Sequence, residues 1–346
     1  IEAAEWKINP TIEFRAGYND NITLTIDDEV SSAEVKLSPS AIFSVDTPES
    51  GMSGNLRFDF RRFEDDSNLD DNNVRFLTNS YHRLERSELG LDVDFIKDTT
   101  LDSALDNTGL VLDRTTRYRV NAGPNWTYHL DERTDASFSY TYSDVQYNNT
   151  GENGYVDFHI NSGQASLQRV LNERSAASIT LSHSQSSNDN QVDSKNTNLQ
   201  GGGSYRLSET LSTSLFVGIR RTEADFSQSS LIPIFIGDII IGFIPLTEDI
   251  SRSDWGYTFN GSLSKDYLRG QTNLSAFREI SNDINGIPIE VTRVRWNNLY
   301  RFSEILSSNL NLEFYKSETN NNARNNLNRE FYRIEPRFNW DFQQFW

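Results

Sequence analysis

The chain has 346 residues, no cysteine and a formal net charge of -18. Those figures exclude disulfide staples, thiolate metal sites and a cysteine nucleophile, and they speak against nucleic-acid partners, which need clustered Lys and Arg to neutralise phosphates. Mean hydropathy is -0.61, and the longest apolar stretch, Leu231 to Leu246, is interrupted by Gly237-Asp238 and by prolines, so no run reaches the 18 or so apolar residues of a spanning helix.

In chain order, the opening at Ile1 lacks both an initiator Met and a signal peptide and reads as a processed end of an exported chain. Period-two alternation then runs almost throughout, with hardly any helical periodicity. NLRFDFRR sets Leu56, Phe58 and Phe60 against Arg57, Asp59 and Arg61, and LGLDVDF sets Leu89, Leu91, Val93 and Phe95 against Gly90, Asp92 and Asp94. Sixteen strands are predicted, beginning near Lys7, Ser32, Ser53, Val74, Glu88, Arg114, Thr134, Tyr155, Arg174, Asn196, Thr210, Ser251, Gly270, Ile287, Ser307 and Arg329. The last puts Tyr332, Ile334, Phe338, Trp340, Phe342 and Trp346 on one face.

Alternation alone fits a soluble sandwich as well as a membrane barrel. Connection lengths separate the two. Short turns such as TPESG, LDERTD, LNERS and LSETL alternate with long polar loops such as EDDSNLDDNN and KDTTLDSALDNTGLVLD. Tight turns at one end and long loops at the other mark an outer-membrane barrel. The expected fold is therefore all-β: a transmembrane antiparallel up-and-down β-barrel of about 16 strands, one domain over residues 1–346, in the bacterial outer membrane. A terminal aromatic strand is similar to the C-terminal signature of Gram-negative barrels, with Trp in place of the commoner Phe. The low hydropathy is consistent, because only alternate residues meet lipid.

With the apolar face outward, the other face becomes the lumen. The candidates to line it are Arg57, Arg61, Arg117, Arg119, Arg220, Arg293, Arg295, Arg301, Arg333 and Arg337. Two readings stand side by side: opposite charges pair across neighbouring strands, or the arginines attract an anionic or hydroxyl-rich solute. The apolar segment 225–250 stands apart from the other loops. With Leu231, Ile234, Phe235, Ile239 and Phe243 it could fold inward as a constriction, rise as a tall hairpin, or dock on a partner, and inward folding is favoured because a large apolar patch needs cover. The acids of TIDDE and EDDSNLDDNN lack EF-hand spacing and read as a solvated face near lipopolysaccharide. Four separate histidines and the absence of HExxH or GxSxG argue against an enzyme. No cofactor or metal is expected.

INPTIEFRAGYNDNITL, with Gly17, Tyr18 and Asn21, and the repeated turns of LNERSAASITLSHSQ and LSETLSTSLFVGIRR resemble proteobacterial outer-membrane β-barrels associated with exopolysaccharide gene clusters. That resemblance implies a channel carrying a polysaccharide across the outer membrane, together with periplasmic export components. The charged lumen suggests an anionic polymer; the alternative is a general or anion-preferring diffusion porin.

Overall fold

The computed structural model describes residues 4–19, 31–64, 67–100, 114–148, 150, 155–189, 192–236, 239–283, 285–319 and 328–340; Asn19, Asn68, Thr319 and residues 226–249 are described along the backbone alone. The strands are β1 (Glu5–Asn19), β2 (Ser32–Asp46), β3 (Ser50–Phe63), β4 (Asp71–Arg83), β5 (Ser87–Thr99), β6 (Thr116–Asp131), β7 (Thr134–Tyr147) and β8 (Phe158–Asn172). They continue as β9 (Ser175–Asn188), β10 (Val192–Ser208), β11 (Leu211–Ile236), β12 (Ile239–Tyr267), β13 (Gly270–Asn282), β14 (Pro288–Arg301), β15 (Leu306–Thr319) and β16 (Asn328–Trp340). They lie in sequence order in one 16-stranded sheet, and each recorded pairing of neighbours is antiparallel. Among the described residues, no helix is long and apolar enough to cross a membrane. By contacts the chain divides into one unit of Ile1–His129 and Ser137–Asn161 and another of Leu130–Ala136 and Ser162–Trp346.

The short turns share a chemistry. At the β6–β7 turn the Asp131 carboxylate accepts from Arg133 N–H at 2.8 Å and from the Thr134 hydroxyl at 3.0 Å. At the β8–β9 turn Asn172 Oδ1 accepts from Arg174 N–H at 2.9 Å. In both, a side-chain oxygen captures the amide two residues on, which closes an Asx turn and lets the chain reverse within a few residues. LDERT and LNERS are thus two copies of one device.

Register keeps like with like. On the apolar face Phe14 pairs with Leu37 and Leu37 with Phe60, and Phe314 packs against Tyr332 with centroids 5.2 Å apart and ring planes tilted by 45°. Many of these side chains are fully open: Phe338 is 72 % and Ile334 71 % exposed. A row of such residues in water would be an aggregation surface; in hydrocarbon it is the required one. Across β9–β12 the rows are Ile179–Gly201–Val217–Phe259 and Leu181–Leu199–Ile219–Tyr257, followed by His183–Thr197–Arg221–Trp255. The apolar band ends between the last two rows, at a Trp of the kind that forms aromatic girdles.

β11 and β12 stay paired from Leu211/Lys265 to Ile236/Ile239, with a register shift at Ile234/Phe235. Residues 225–236 and 239–250 are therefore strand along their backbone, and the side chains of Leu231, Ile234, Phe235, Ile239 and Phe243 lie outside the described residues. Phe342 and Trp346 also lie outside them.

Candidate functional site

On the polar face of the first unit, acids and bases alternate between neighbouring strands. Arg57 bridges Asp59 at 2.9 Å and Glu13 at 3.0 Å, and Lys36 approaches Asp59 at 3.3 Å. Arg61 lies 3.7 Å from Asp71 and 3.9 Å from Glu34, while Arg114 reaches Asp71 at 3.3 Å. Arg117 grips Asp98 with two donors at 2.7 and 3.0 Å, and Arg119 stands 4.0 Å from Asp94. Bidentate, half-buried pairing of this kind fixes strand register as well as neutralising charge. Asp70 and Asp71 of the acidic loop are drawn into this network, Asp70 capping Phe63 N–H at 2.9 Å.

In the second unit several guanidiniums gather around one carboxylate. Glu313 on β15 faces Arg295 on β14 and Arg333 on β16 in register. Three guanidiniums converge on it: Arg293 at 3.0 Å, Arg295 at 3.2 Å and Arg333 at 3.7 Å. Aromatic rings flank the cluster. Arg293 lies 4.8 Å from the Tyr315 centroid and 5.7 Å from that of Phe277, and Tyr315 stacks on Phe331 at 4.7 Å. Arg337 pairs with Glu335 at 3.3 Å, and Arg301 ends β14 exposed, opposite Ser307. Glu335 adds a second carboxylate, 3.9 Å from Arg333 and shared with Arg337, so four guanidiniums meet Glu313 and Glu335 here.

A hairpin crosses this polar face. The β12–β13 ladder stops at Phe259/Arg278, whereas β13 and β14 remain paired up to Asn282/Pro288. Beyond Arg278 the hairpin leaves its neighbour, and its turn reaches β9: Ser186 Oγ donates to Gly286 O at 2.6 Å and Asn188 Nδ2 to Asn285 O at 2.9 Å. From Arg278 to Asn285 there are seven peptide steps, about 23 Å of extended chain, and β9 is four strands from β13, about 19 Å. Chain that covers this distance in that length must run across the sheet. Ser186 and Arg220 share the polar face, opposite Leu181 and Ile219, so the crossing is on that side. Gly286 makes the turn possible with φ 75°, a conformation that costs other residues.

Both faces of the hairpin are engaged. Ile289 and Val291 form a buried cluster with Tyr315, against Phe277 and Phe331. On the other face Glu290 binds Arg220 of β11 through Oε2 and Arg278 of β13 through Oε1. Arg220 is only 3 % exposed; its Nη1 donates to Thr222 Oγ1 at 3.0 Å. It fits because its strand partner is Gly256, where a Cβ would lie 2.6 Å from the guanidinium carbon. In the turn, Asp283 Oδ1 accepts from Asn285 N–H at 2.9 Å and Ile287 N–H at 2.8 Å. Burial raises this carboxyl above the ordinary aspartate range, against the opposing pull of those two amides and of Arg329.

All ten arginines predicted from alternation fall on the polar parity of their strands, and the structure groups Arg293, Arg295 and Arg333. Arg278, Glu290, Asp283, Ser186 and Asn188 are absent from that prediction. The signal for them is a phase change in β14: Arg293, Arg295 and Asn297 share the parity of Ile289 and Val291, while Glu290 takes the parity of Val294 and Trp296. The pattern inverts at the level where β13 leaves β12, although β14 stays paired with β15 there.

Sixteen antiparallel strands in sequence order, with one exposed apolar face and one charged face, define the fold of a bacterial outer-membrane β-barrel, and the outer membrane is its location. No family model and no curated protein matches the sequence. Among solved structures, the chain is similar to the open form of the ferric-catecholate import receptor Fiu from E. coli K12, at 8 % identity and TM-score 0.51 over 95 % of this chain and 65 % of that one. It is similar to a double mutant of the Serratia marcescens hemophore receptor HasR in complex with its hemophore HasA and heme, at 9 % identity and TM-score 0.50 over 96 % of this chain and 61 % of that one. A bacterial polysaccharide outer membrane secretin aligns over 98 % of both chains at 11 % identity and TM-score 0.38. The chain spans less than two thirds of the length of the two receptors, and the likeness to them is one of fold.

Proposed function

We propose that the protein is an outer-membrane conduit that exports an anionic exopolysaccharide, with its polar face lining the path. The observation that carries this reading is the cluster in which Arg293, Arg295 and Arg333 converge on the carboxylate of Glu313 beside Tyr315, Phe277 and Phe331. Guanidiniums in a confined path attract carboxylate, sulfate or phosphate groups, and aromatic faces suit the apolar faces of sugar rings. The polymer, lipopolysaccharide at the apolar face and periplasmic export components are the partners this role requires. Deleting the gene tests it: loss of surface polysaccharide with small-solute uptake unchanged supports export, whereas intact polysaccharide with reduced uptake of small anions supports the diffusion-porin alternative.

A further inference from the structure

We propose that the outward face of β9–β12 carries a binding site for the phosphate of an outer-leaflet glycolipid, the lipid A of lipopolysaccharide, built by Arg221, Lys195 and His183 beside Trp255. The site lies on the membrane side of the wall and is independent of which solute passes along the polar face.

Its height follows from the rows. Ser175, Tyr205, Thr213 and Leu263 share one outward row beside the short turns, and His183, Thr197, Arg221 and Trp255 share another. Eight residues of β10 separate Tyr205 from Thr197, about 27 Å of strand, or about 20 Å of height at the usual barrel tilt. The apolar band of an outer-membrane barrel is about 25 Å tall, with aromatic residues at both rims. Tyr205 and Trp255 therefore stand near the two rims, and the short turns put Tyr205 at the periplasmic one. The Arg221 row meets the head groups of the outer leaflet.

Positive charge on this face gathers at that level. The rows through Leu181 and Ile179 are apolar or small, Lys195 and Glu223 occupy the row beyond Arg221, and Asp193 and Asp225 the row beyond that. A cavity of about 360 Å³ opens here, lined by Leu199 and Ile219 from the apolar band and by His183, Lys195, Thr197 and Arg221 from the two rows above. Trp255, 65 % exposed, borders it with its ring centroid 5.8 Å from Arg221 Cζ, a contact that positions the guanidinium without neutralising it. His183 Nδ1 and Thr197 Oγ1 share a hydrogen bond of 2.9 Å. Lys195 is exposed and makes no ion pair among the described residues.

A cavity that is apolar on its membrane side and cationic above fits a molecule with acyl chains below and a phosphorylated sugar above. The chains continue over Leu199 and Ile219, the phosphate accepts from Arg221 and Lys195, and sugar hydroxyls meet Thr197, His183 and the Trp255 ring. Glu223 is the acid that lines the cavity, and it binds Arg221 Nη2 at 2.6 Å. It competes with the phosphate but leaves the other guanidinium donors available.

Native mass spectrometry of the purified protein in detergent micelles, titrated with lipid A, reads the affinity. Wild type should bind lipid A about tenfold more tightly than phosphatidylglycerol or dephosphorylated lipid A. Lys195→Gln/Arg221→Gln should weaken lipid A binding about tenfold with the heat-modifiable fold retained. Lys265→Gln removes a cation of the same parity at the periplasmic end and should leave binding unchanged. Glu223→Gln should tighten it severalfold, a gain that misfolding does not produce, so this variant decides the matter even if the double variant fails to fold. Equal affinity for phosphatidylglycerol, unaltered binding in the double variant, or no gain in Glu223→Gln would overturn the proposal. Displacement of lipid A by an excess of inorganic phosphate would also overturn it and assign the cavity to the free anion.

Discussion

Phe259 and Arg278 are the last pair of the β12–β13 ladder, and the chain beyond Arg278 turns from the wall to cross the polar face toward β9. Above that pair β13 has lost β12 as a neighbour and the turn reaches β9, while β14 stays paired with β15 up to Ile289/Thr319. The departure point is consequently where substitutions should act most selectively on the hairpin while sparing the barrel.

Gly256 tests the seat of Arg220. A side chain there would meet the Arg220 guanidinium, with the Cβ 2.6 Å from its central carbon, so Gly256→Val should displace Arg220 and loosen the hairpin. Amide hydrogen exchange should accelerate at least tenfold at Gly286 and Ile287 while β1–β5 keep their protection. Unchanged exchange at those two amides would show that Arg220 is not what holds the hairpin.

Glu290→Ala leaves Arg220 buried without its closest counter-charge, a change that costs about 3–5 kcal/mol when a buried pair is broken from one side. The double variant Arg220→Met/Glu290→Leu removes both charges and should recover most of that loss. Urea unfolding in detergent micelles gives the comparison. A double variant no more stable than Glu290→Ala would contradict this account of the pair.

Leu91 and Asp92 test the two faces of β5. Leu91 is 44 % exposed on the apolar face between Ser80 and Pro124, and Leu91→Arg should cost about 2–4 kcal/mol if it lies near the midplane. Asp92 accepts from Asn125 at 3.0 Å on the polar face, and Asp92→Asn should assemble normally. The fraction of heat-modifiable folded protein in outer membranes measures both; equal yields would mean the faces are reversed.

Asp283 should make the docked turn sensitive to pH. Its carboxyl is raised by burial, so the docked state holds the proton more tightly than an undocked one. Docking is then strongest below the ordinary aspartate range and weakens as pH rises through the raised value. Conductance of the wild type should increase across that window, and Asp283→Asn should flatten the profile. Parallel profiles would assign the dependence to another group.

The two arginine environments should differ in function. Neutralising Arg293 and Arg295 to Gln removes two of the three cations around Glu313 and should lower polymer export severalfold with folded barrel retained. Arg117→Gln breaks a bidentate pair with Asp98 and should reduce stability more than export. Pulse-labelled polymer in the medium, normalised to folded protein, separates the two; equal export defects would remove the distinction.

Most of the wall was legible in the chain because a period of two needs only neighbours to reveal it. Leu91 against Asp92 and Phe338 against Arg337 declare their faces without reference to anything distant, and Asp131 and Asn172 mark their turns locally. The hairpin was less legible. SNDING reads as an outer loop, and nothing near it names Ser186 or Asn188, about a hundred residues earlier in the chain. The phase change between Val291 and Arg293 was present, yet its meaning depends on where β12 stops pairing. Leu231 and Phe243 continue the β11–β12 ladder along their backbone, and their side chains lie outside the described residues.

That ladder has a further consequence. β10 ends its pairing with β11 at Val192/Phe226, and β13 ends its pairing with β12 at Arg278/Phe259. Among the described residues, the strands beyond those points pair only with each other, so each turns a side toward open surroundings as a template onto which an extended stranger could add itself. Pro233 stands opposite Phe243 and Pro245 opposite Leu231. A proline has no N–H to give a third strand, so each side of this ribbon carries its own interruption against uninvited growth of the sheet.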